Sequence, residues 1–241
     1  SGVACAGAGA LVLTGALSWH QALFDLVSWN VIGLFFGTLV LAELFLQSRM
    51  PSVLAESLVR HTHTMRGAIL AVCVLSGILS IFVENVAVVL LVAPIALSLA
   101  DKLKINPVPL LICISASSNL QGTATLIGDP PSMILAGYLK LTFNDFFVYQ
   151  GKAGIFFAVQ VGALASLAYM AFLFRRHRAP VDLVPSETIR SWVPTVLLVA
   201  LVAGLAVTSL IDPGFKWLAG TFTLALALLG LAWYRLLLKP R

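Results

Sequence analysis

The stretch that decides the fold runs from Ile114 to Leu135 and reads I-S-A-S-S-N-L-Q-G-T-A-T-L-I-G-D-P-P-S-M-I-L. Its apolar setting predicts a membrane span. Its middle, however, carries Gly122, Gly128, Asp129, Pro130 and Pro131. The two prolines lack backbone donors and push the residues before them out of helical geometry. The glycines lower the cost of leaving the helix. The span therefore breaks here. Non-helical backbone at membrane depth persists only where protein buries it or water reaches it. The freed amides and carbonyls, with the hydroxyls of Thr123 and Thr125, then become ligands for an ion or a substrate, as in the discontinuous helices of secondary transporters. Asp129 is a functional candidate because a charge in a long apolar context is costly. The alternative is a Gly- and Pro-rich loop between two ordinary helices.

The surrounding chain supports a membrane setting. Of its 241 residues, 60% are hydrophobic and 10% are charged, and the mean hydropathy is +1.00. A soluble domain carries about a quarter charged residues. The apolar runs are long and do not alternate, which selects helices over a barrel. The net charge of +5 is assigned to cytoplasmic loops, and no nucleic-acid partner is expected. Cys5, Cys73 and Cys113 lie in apolar segments and read as small core residues. There is no nucleophile–base set, metal cluster or phosphate loop, so an enzyme is not expected. The chain begins at Ser1 without a basic leader, and a fragment or trimmed chain is expected.

In order, spans are predicted at about Val3–Leu17 and Trp29–Gln47, the second with a Gly33-x-x-x-Gly37 pair suited to close helix packing. Glu43 in that span reads as a snorkelling, partly solvated side chain. Pro51–Thr64 reads as a short amphipathic surface helix, and its His61-x-His63 pair as solvated rather than metal-binding. Gly67–Ala100 is apolar except for Glu84 and Asn85 near its middle. As one helix it would be roughly 50 Å long, against a hydrocarbon core of about 30 Å. It must fold back at Glu84-Asn85. Two full spans and a re-entrant hairpin both fit. The turn lacks Gly, Pro and further polar residues, which favours a hairpin buried in protein. The broken helix then runs from Asn106 to about Tyr138. Further spans follow at about Ala153–Phe174, Trp192–Ile211 and Trp217–Leu237, with Asp212-Pro213-Gly214 turning between the last two.

Charge orients this map. With the amphipathic segment inside, Arg49, Arg60, Arg66, Lys102, Lys104, Arg175, Arg176, Arg178, Arg190, Arg235, Lys239 and Arg241 are cytoplasmic, leaving Lys140, Lys152 and Lys216 outside, so twelve of the fifteen Lys and Arg share a side. The loop 175–190 is then cytoplasmic. The hairpin makes no net crossing, and the broken helix makes one.

Two motifs carry a family resemblance. Ser118–Leu135, with G-T-A-T-L-I-G-D-P-P, and Glu84–Ala100, E-N-V-A-V-V-L-L-V-A-P-I-A-L-S-L-A, resemble the ion transporter superfamily. That group includes citrate transporter-like proteins, divalent anion/sodium symporters, arsenite permeases, NhaD-type sodium/proton antiporters and the melanosomal P protein. The resemblance covers roughly residues 29–178 and is nearest the P-protein and NhaD-like branch. Glu84 stands where relatives carry Asp or Ser, and Ala87 where they carry Thr.

The resemblance implies an all-α polytopic membrane fold of inverted repeats, each with a re-entrant hairpin (here about 67–100) and a broken helix (about 107–138). Residues 1–178 would be the first repeat, 179–191 a cytoplasmic linker, and 192–241 the first two spans of a second repeat. The implied function is secondary active transport of a small anion coupled to Na⁺ or H⁺. Sodium/proton antiport without an organic substrate and a non-transporting membrane scaffold are the alternatives. The expected binding residues are Glu84, Asn85, Ser118, Asn119, Gly122, Thr123, Thr125, Gly128, Asp129, Pro130 and Pro131. Na⁺ is expected at Asn85, Thr123 and Gly122. No cofactor is expected beyond the coupling ion. The partners are the bilayer and, for the full-length protein, a second copy in a homodimer. A bacterial-type inner membrane is the expected location.

Overall fold

A computed structural model describes residues 2–16, 18–20, 27–62, 64–102, 104–175 and 188–237. The basic loop 176–187, most of the expected linker, Asp25, His63 and the last four residues lie outside the described residues.

Among the described residues there are ten α-helices and one two-stranded ribbon. The helices are α1 (Gly2–Leu13), α2 (Trp29–Gln47), α3 (Met50–Arg60), α4 (Met65–Ser80), α5 (Asn85–Lys102), α6 (Val108–Gly122), α7 (Pro130–Leu139), α8 (Ile155–Leu173), α9 (Val193–Ile211) and α10 (Leu218–Leu237). Four of them, α2, α8, α9 and α10, are long and apolar enough to cross a membrane. The chain is an all-α polytopic membrane protein.

The turns follow from local chemistry. Thr64 caps α4 by accepting the Gly67 N–H. Pro51 sits in the first turn of α3, where its missing donor costs nothing. Helix α3 buries Met50, Pro51, Ala55 and Val59 and exposes Arg60, which is the amphipathic pattern expected of a surface helix. At 16 residues, α4 is about 24 Å long, shorter than the hydrocarbon core. The chain then reverses through Ile81–Glu84 into α5, so the helix–tip–helix reading of Gly67–Ala100 holds.

Helices α2 and α10 lie parallel and very close. A side chain on Gly37 would overlap Thr223, and one on Gly33 would meet the Gly220 carbonyl oxygen at 3.3 Å. Asn30 locks the start of this seam. Its Oδ1 accepts the Gly220 N–H at 2.6 Å and its Nδ2 donates to the Phe215 carbonyl at 2.9 Å. The Gly33/Gly37 pair thus faces a backbone, as small residues in membrane helices do.

The contacts also sort the helix ends. The Arg190 N–H bonds the Ser48 carbonyl, and Gln47, Ser48, Arg190 and Tyr234 line one small cleft. At the other end, Asn144 bonds the Ala206 carbonyl and Ser209 Oγ of α9, near Asp212 and Phe215. Segments 48–49, 190 and 234–235 therefore share one end of the bundle, and 30, 144, 209 and 215 share the other. Arg49, Arg190 and Arg235 thus lie at one end of the bundle and Lys216, next to Phe215, at the other.

Residues 141–154 are more ordered than a plain loop. Phe143 and Phe146 are buried, Thr142 and Asp145 cap each other, and Val148–Tyr149 pairs with Lys152–Ala153. The sequence offered only scattered polar residues there, because the order comes from two aromatics plugging against α9.

Candidate functional site

The site is built where the tip between α4 and α5 meets the gap between α6 and α7. Helices α4 and α6 run parallel and are joined by hydroxyls at matching spacing. Ser76 Oγ donates to the Ile114 carbonyl at 3.2 Å, and Ser80 Oγ lies 2.9 Å from Ser118 Oγ. Ser118 has one proton, which it gives to the Asn85 carbonyl at 3.1 Å, so Ser80 is the donor to Ser118. Asn85 Nδ2 donates to Asn119 Oδ1 at 2.7 Å. Thr125 Oγ1 donates to the Ile81 carbonyl. Five side-chain bonds thus tie α4, the tip and the start of α5 to the broken helix.

The break itself is seven residues, Thr123–Asp129, between α6 and α7. Its backbone is folded back so tightly that Gly122 and Gly128 touch. A side chain on Gly128 would overlap the Gly122 carbonyl oxygen and come within 2.7 Å of the Ser80 carbonyl oxygen. The open side of Gly122 faces Asn85 Nδ2, 3.4 Å from where a Cβ would stand, and Asp129. Apart from half-buried Thr123, the break is buried, and Thr125 is fully so.

Both acids are helix caps. Glu84 Oε2 accepts the Ala87 N–H at 2.9 Å at the start of α5. Asp129 Oδ1 accepts the Ser132 N–H at 3.1 Å at the start of α7. Pro130 and Pro131 occupy the first two helical positions and contribute no donors. Among the described residues neither carboxylate has an ion-pair partner. The positive ends of the two half-helices are therefore already met by carboxylates of the chain.

The expected site residues fall into two groups. Glu84, Asn85, Ser118, Asn119, Gly122, Thr125, Gly128 and Asp129 converge on the junction. Thr123 does not turn towards Asn85. Its hydroxyl donates to the Leu120 carbonyl at 2.8 Å, and it lines a separate cavity of about 640 Å³ with Pro131, Ser132, Leu135 and Tyr149. Pro131 is exposed on that same side. Two features were missed from sequence. Ser80 is one, although the Ser76/Ser80 and Ile114/Ser118 spacings match. The other is Gln121, which pairs with Gln160 of α8. Glu43 lies away from the junction on the exposed face of α2 and accepts from Gln47.

Comparison with known proteins gives the family. The family description "Citrate transporter" matches residues 1–237. An uncharacterized transporter of Mycobacterium tuberculosis is 33% identical over 154 residues, which is 61% of this chain and 35% of that protein. The magnetosome protein MamN of Paramagnetospirillum magneticum is 31% identical over 58% of this chain and 33% of its own length. The human P protein is 29% identical over 55% of this chain and 16% of its own. The matched part covers about a third of the mycobacterial and magnetosome relatives. With a match across nearly all of its length, the chain belongs to the citrate transporter family.

Proposed function

We propose that residues 1–178 form the first repeat of a secondary active transporter and residues 192–241 the first two spans of its second. The transporter moves a small anion of the carboxylate or oxyanion class, coupled to Na⁺ or H⁺, by alternating access at the hairpin–break junction. The observation that carries this reading is the Ser80–Ser118–Asn85–Asn119 hydrogen-bond chain, which joins two helix interruptions and runs from buried Ser80 and Ser118 to half-buried Asn85 and exposed Asn119. Interrupted helices meeting in this way supply carbonyls and side-chain oxygens at membrane depth. The ligands we assign to the coupling cation are the side-chain oxygens of Asn85 and Asn119 and the carbonyls around Gly122. A hard cation needs several such oxygens, by analogy with other oxygen-ligated ions. We read α4–α5 as re-entrant, because α4 is too short to span and its tip is occupied by the break. The Arg-rich end of the bundle is then cytoplasmic, the membrane the bacterial-type inner one, and the full-length protein a homodimer.

The test is uptake by the intact protein in liposomes. Labelled di- and tricarboxylates should accumulate under an inward Na⁺ or H⁺ gradient and not under an equal K⁺ gradient. Gradient-independent uptake, or none for any anion or cation, would sink the proposal.

One observation favours sodium/proton antiport as a second reading. Both half-helix N-termini are already capped by carboxylates, leaving less positive potential for an anion. Glu84→Gln and Asp129→Asn keep a capping oxygen and remove the charge. In an antiporter, one of them abolishes pH-dependent Na⁺ exchange while anion uptake is absent in the wild type.

A further inference from the structure

We infer that Gln121 and Gln160 are positioning residues for the coupling-ion site, holding the start of the break from α8. This rests on reading the junction as an ion site. Gln160 Nε2 donates to Gln121 Oε1 at 2.8 Å, and Gln121 Nε2 donates back to Gln160 Oε1 at 3.1 Å. The pair is a closed two-way amide bond between helices. Gln121 is 9% exposed and stands one residue before Gly122. Its carbonyl accepts the N–H groups of Thr123 and Ala124, which closes the last turn of α6. Displacing Gln121 therefore displaces Gly122 and the peptide that faces Asn85.

The surroundings are fitted to this pair. A side chain on Gly77 of α4 would meet Gln121 Cγ at 3.0 Å, so the bare backbone at 77 leaves room for the glutamine stem. On α8, Val159 joins Ile81 of the tip and Ala124 of the break in a small core. Two consecutive residues of α8 thus reach the two halves of the junction. Gln160 is the one amide side chain in α8, whose other described faces are largely apolar. Polar side chains in such helices bond across to a neighbour because hydrocarbon offers them nothing else. Groups that orient the ligands of an ion typically change its affinity by about 10–100-fold when removed.

The experiment uses the intact protein and two readouts, thermal stabilisation by NaCl relative to KCl and the NaCl dependence of uptake. Where Na⁺ and K⁺ act alike, the same measurements are made against pH at fixed KCl. Gln160→Leu leaves the Gln121 amide without its partner. It should raise the ion midpoint by about 10–100-fold and change the maximal rate much less. Gln160→Glu supplies a readout that packing alone would not move. Ionised, it accepts from Gln121 but returns no donor. Protonated, it restores both bonds, so its midpoint should approach the wild-type value at the same pH as the medium is acidified. Arg66, Cys73, Cys113 and Tyr169 are the titratable side chains on α4, α6 and α8, and Cys73 alone of these lines the cavity beside the pair. A Cys73→Ser background removes its contribution. Should Gln160→Leu fail to fold, the Gln160→Glu profile decides. A wild type with no ion response sinks the ion-site reading itself. A responsive wild type with an unshifted Gln160→Leu, or a Gln160→Glu midpoint that ignores pH, overturns this inference alone.

Discussion

The carbonyl oxygen of Gly122 stands where a side chain on Gly128 would begin, so the two ends of the break are in backbone contact. Neither neighbour is the tip of a flexible side chain. The second obstruction, the Ser80 carbonyl, is backbone as well. Gly128→Ala should therefore open the junction and cost about 1–3 kcal/mol as overpacking, read as a lowered Tm and lost ion-dependent stabilisation. Gly162→Ala in α8 is the control. Its nearest atoms would lie at 3.8 Å, and a helix-interior Gly→Ala change gains up to about 1 kcal/mol. Equal stability for the two variants would show that the contact is not required.

Asp212 organises the turn into α10, outside the membrane-spanning segments. Partial burial by itself raises its pKa. The backbone N–H groups of Trp217, Leu218 and Lys216, with the Lys216 charge, outweigh that and hold the carboxyl below its ordinary value. A depressed carboxyl contributes stability fully above its unfolded pKa, near 3.8, and loses it as pH falls through the lower folded value. The wild type should thus lose stability on acidification below about pH 4, and Asp212→Asn should lose less over that window. Parallel acid-unfolding curves would contradict this role.

The broken helix was legible because Pro130, Pro131 and the glycines are local signals, and covalent chemistry forces their effect. The hairpin was legible because Gly67–Ala100 is too long for one span and Glu84-Asn85 interrupts it. Neither signal reports orientation. Thr123 and Thr125 are equivalent in sequence, yet one hydroxyl turns back on Leu120 and the other reaches Ile81. That choice depends on the path of the break, which is set by the Gly122–Gly128 approach. The Gln121–Gln160 pair was illegible for a similar reason. Its partners are 39 residues apart, and only the docking of α8 brings them together.

The sorting of the helix ends predicts which loops an external reagent reaches. Gln150 and Thr188 are exposed and lie on segments tied to opposite ends of the bundle, the first through Asn144 and α9, the second beside Arg190 and Ser48. In a background lacking native cysteines, Gln150→Cys should react with an impermeant thiol reagent added outside intact cells. Thr188→Cys should react only after permeabilisation. Reaction of both from one side would break the charge-derived map.

Asn85 and Asn119 share a 2.7 Å bond, whereas the Thr123 hydroxyl is spent on Leu120 and faces another cavity. The geometry therefore separates two double-mutant cycles on the intact transporter. Asn85→Ala and Asn119→Ala remove partners in one network, and removing the second should cost less than its own single effect. Contacting residues couple by about 0.5–3 kcal/mol in such cycles. Asn85→Ala and Thr123→Ala touch different faces of the break and should add to within about 0.5 kcal/mol. The readout for both is the ion midpoint for stabilisation or uptake. Strict additivity for Asn85 and Asn119 would mean that the tip and the broken helix do not form one site. Strong coupling between Asn85 and Thr123 would mean that the threonine turns inward when the ion binds, and that the cation shell includes its hydroxyl.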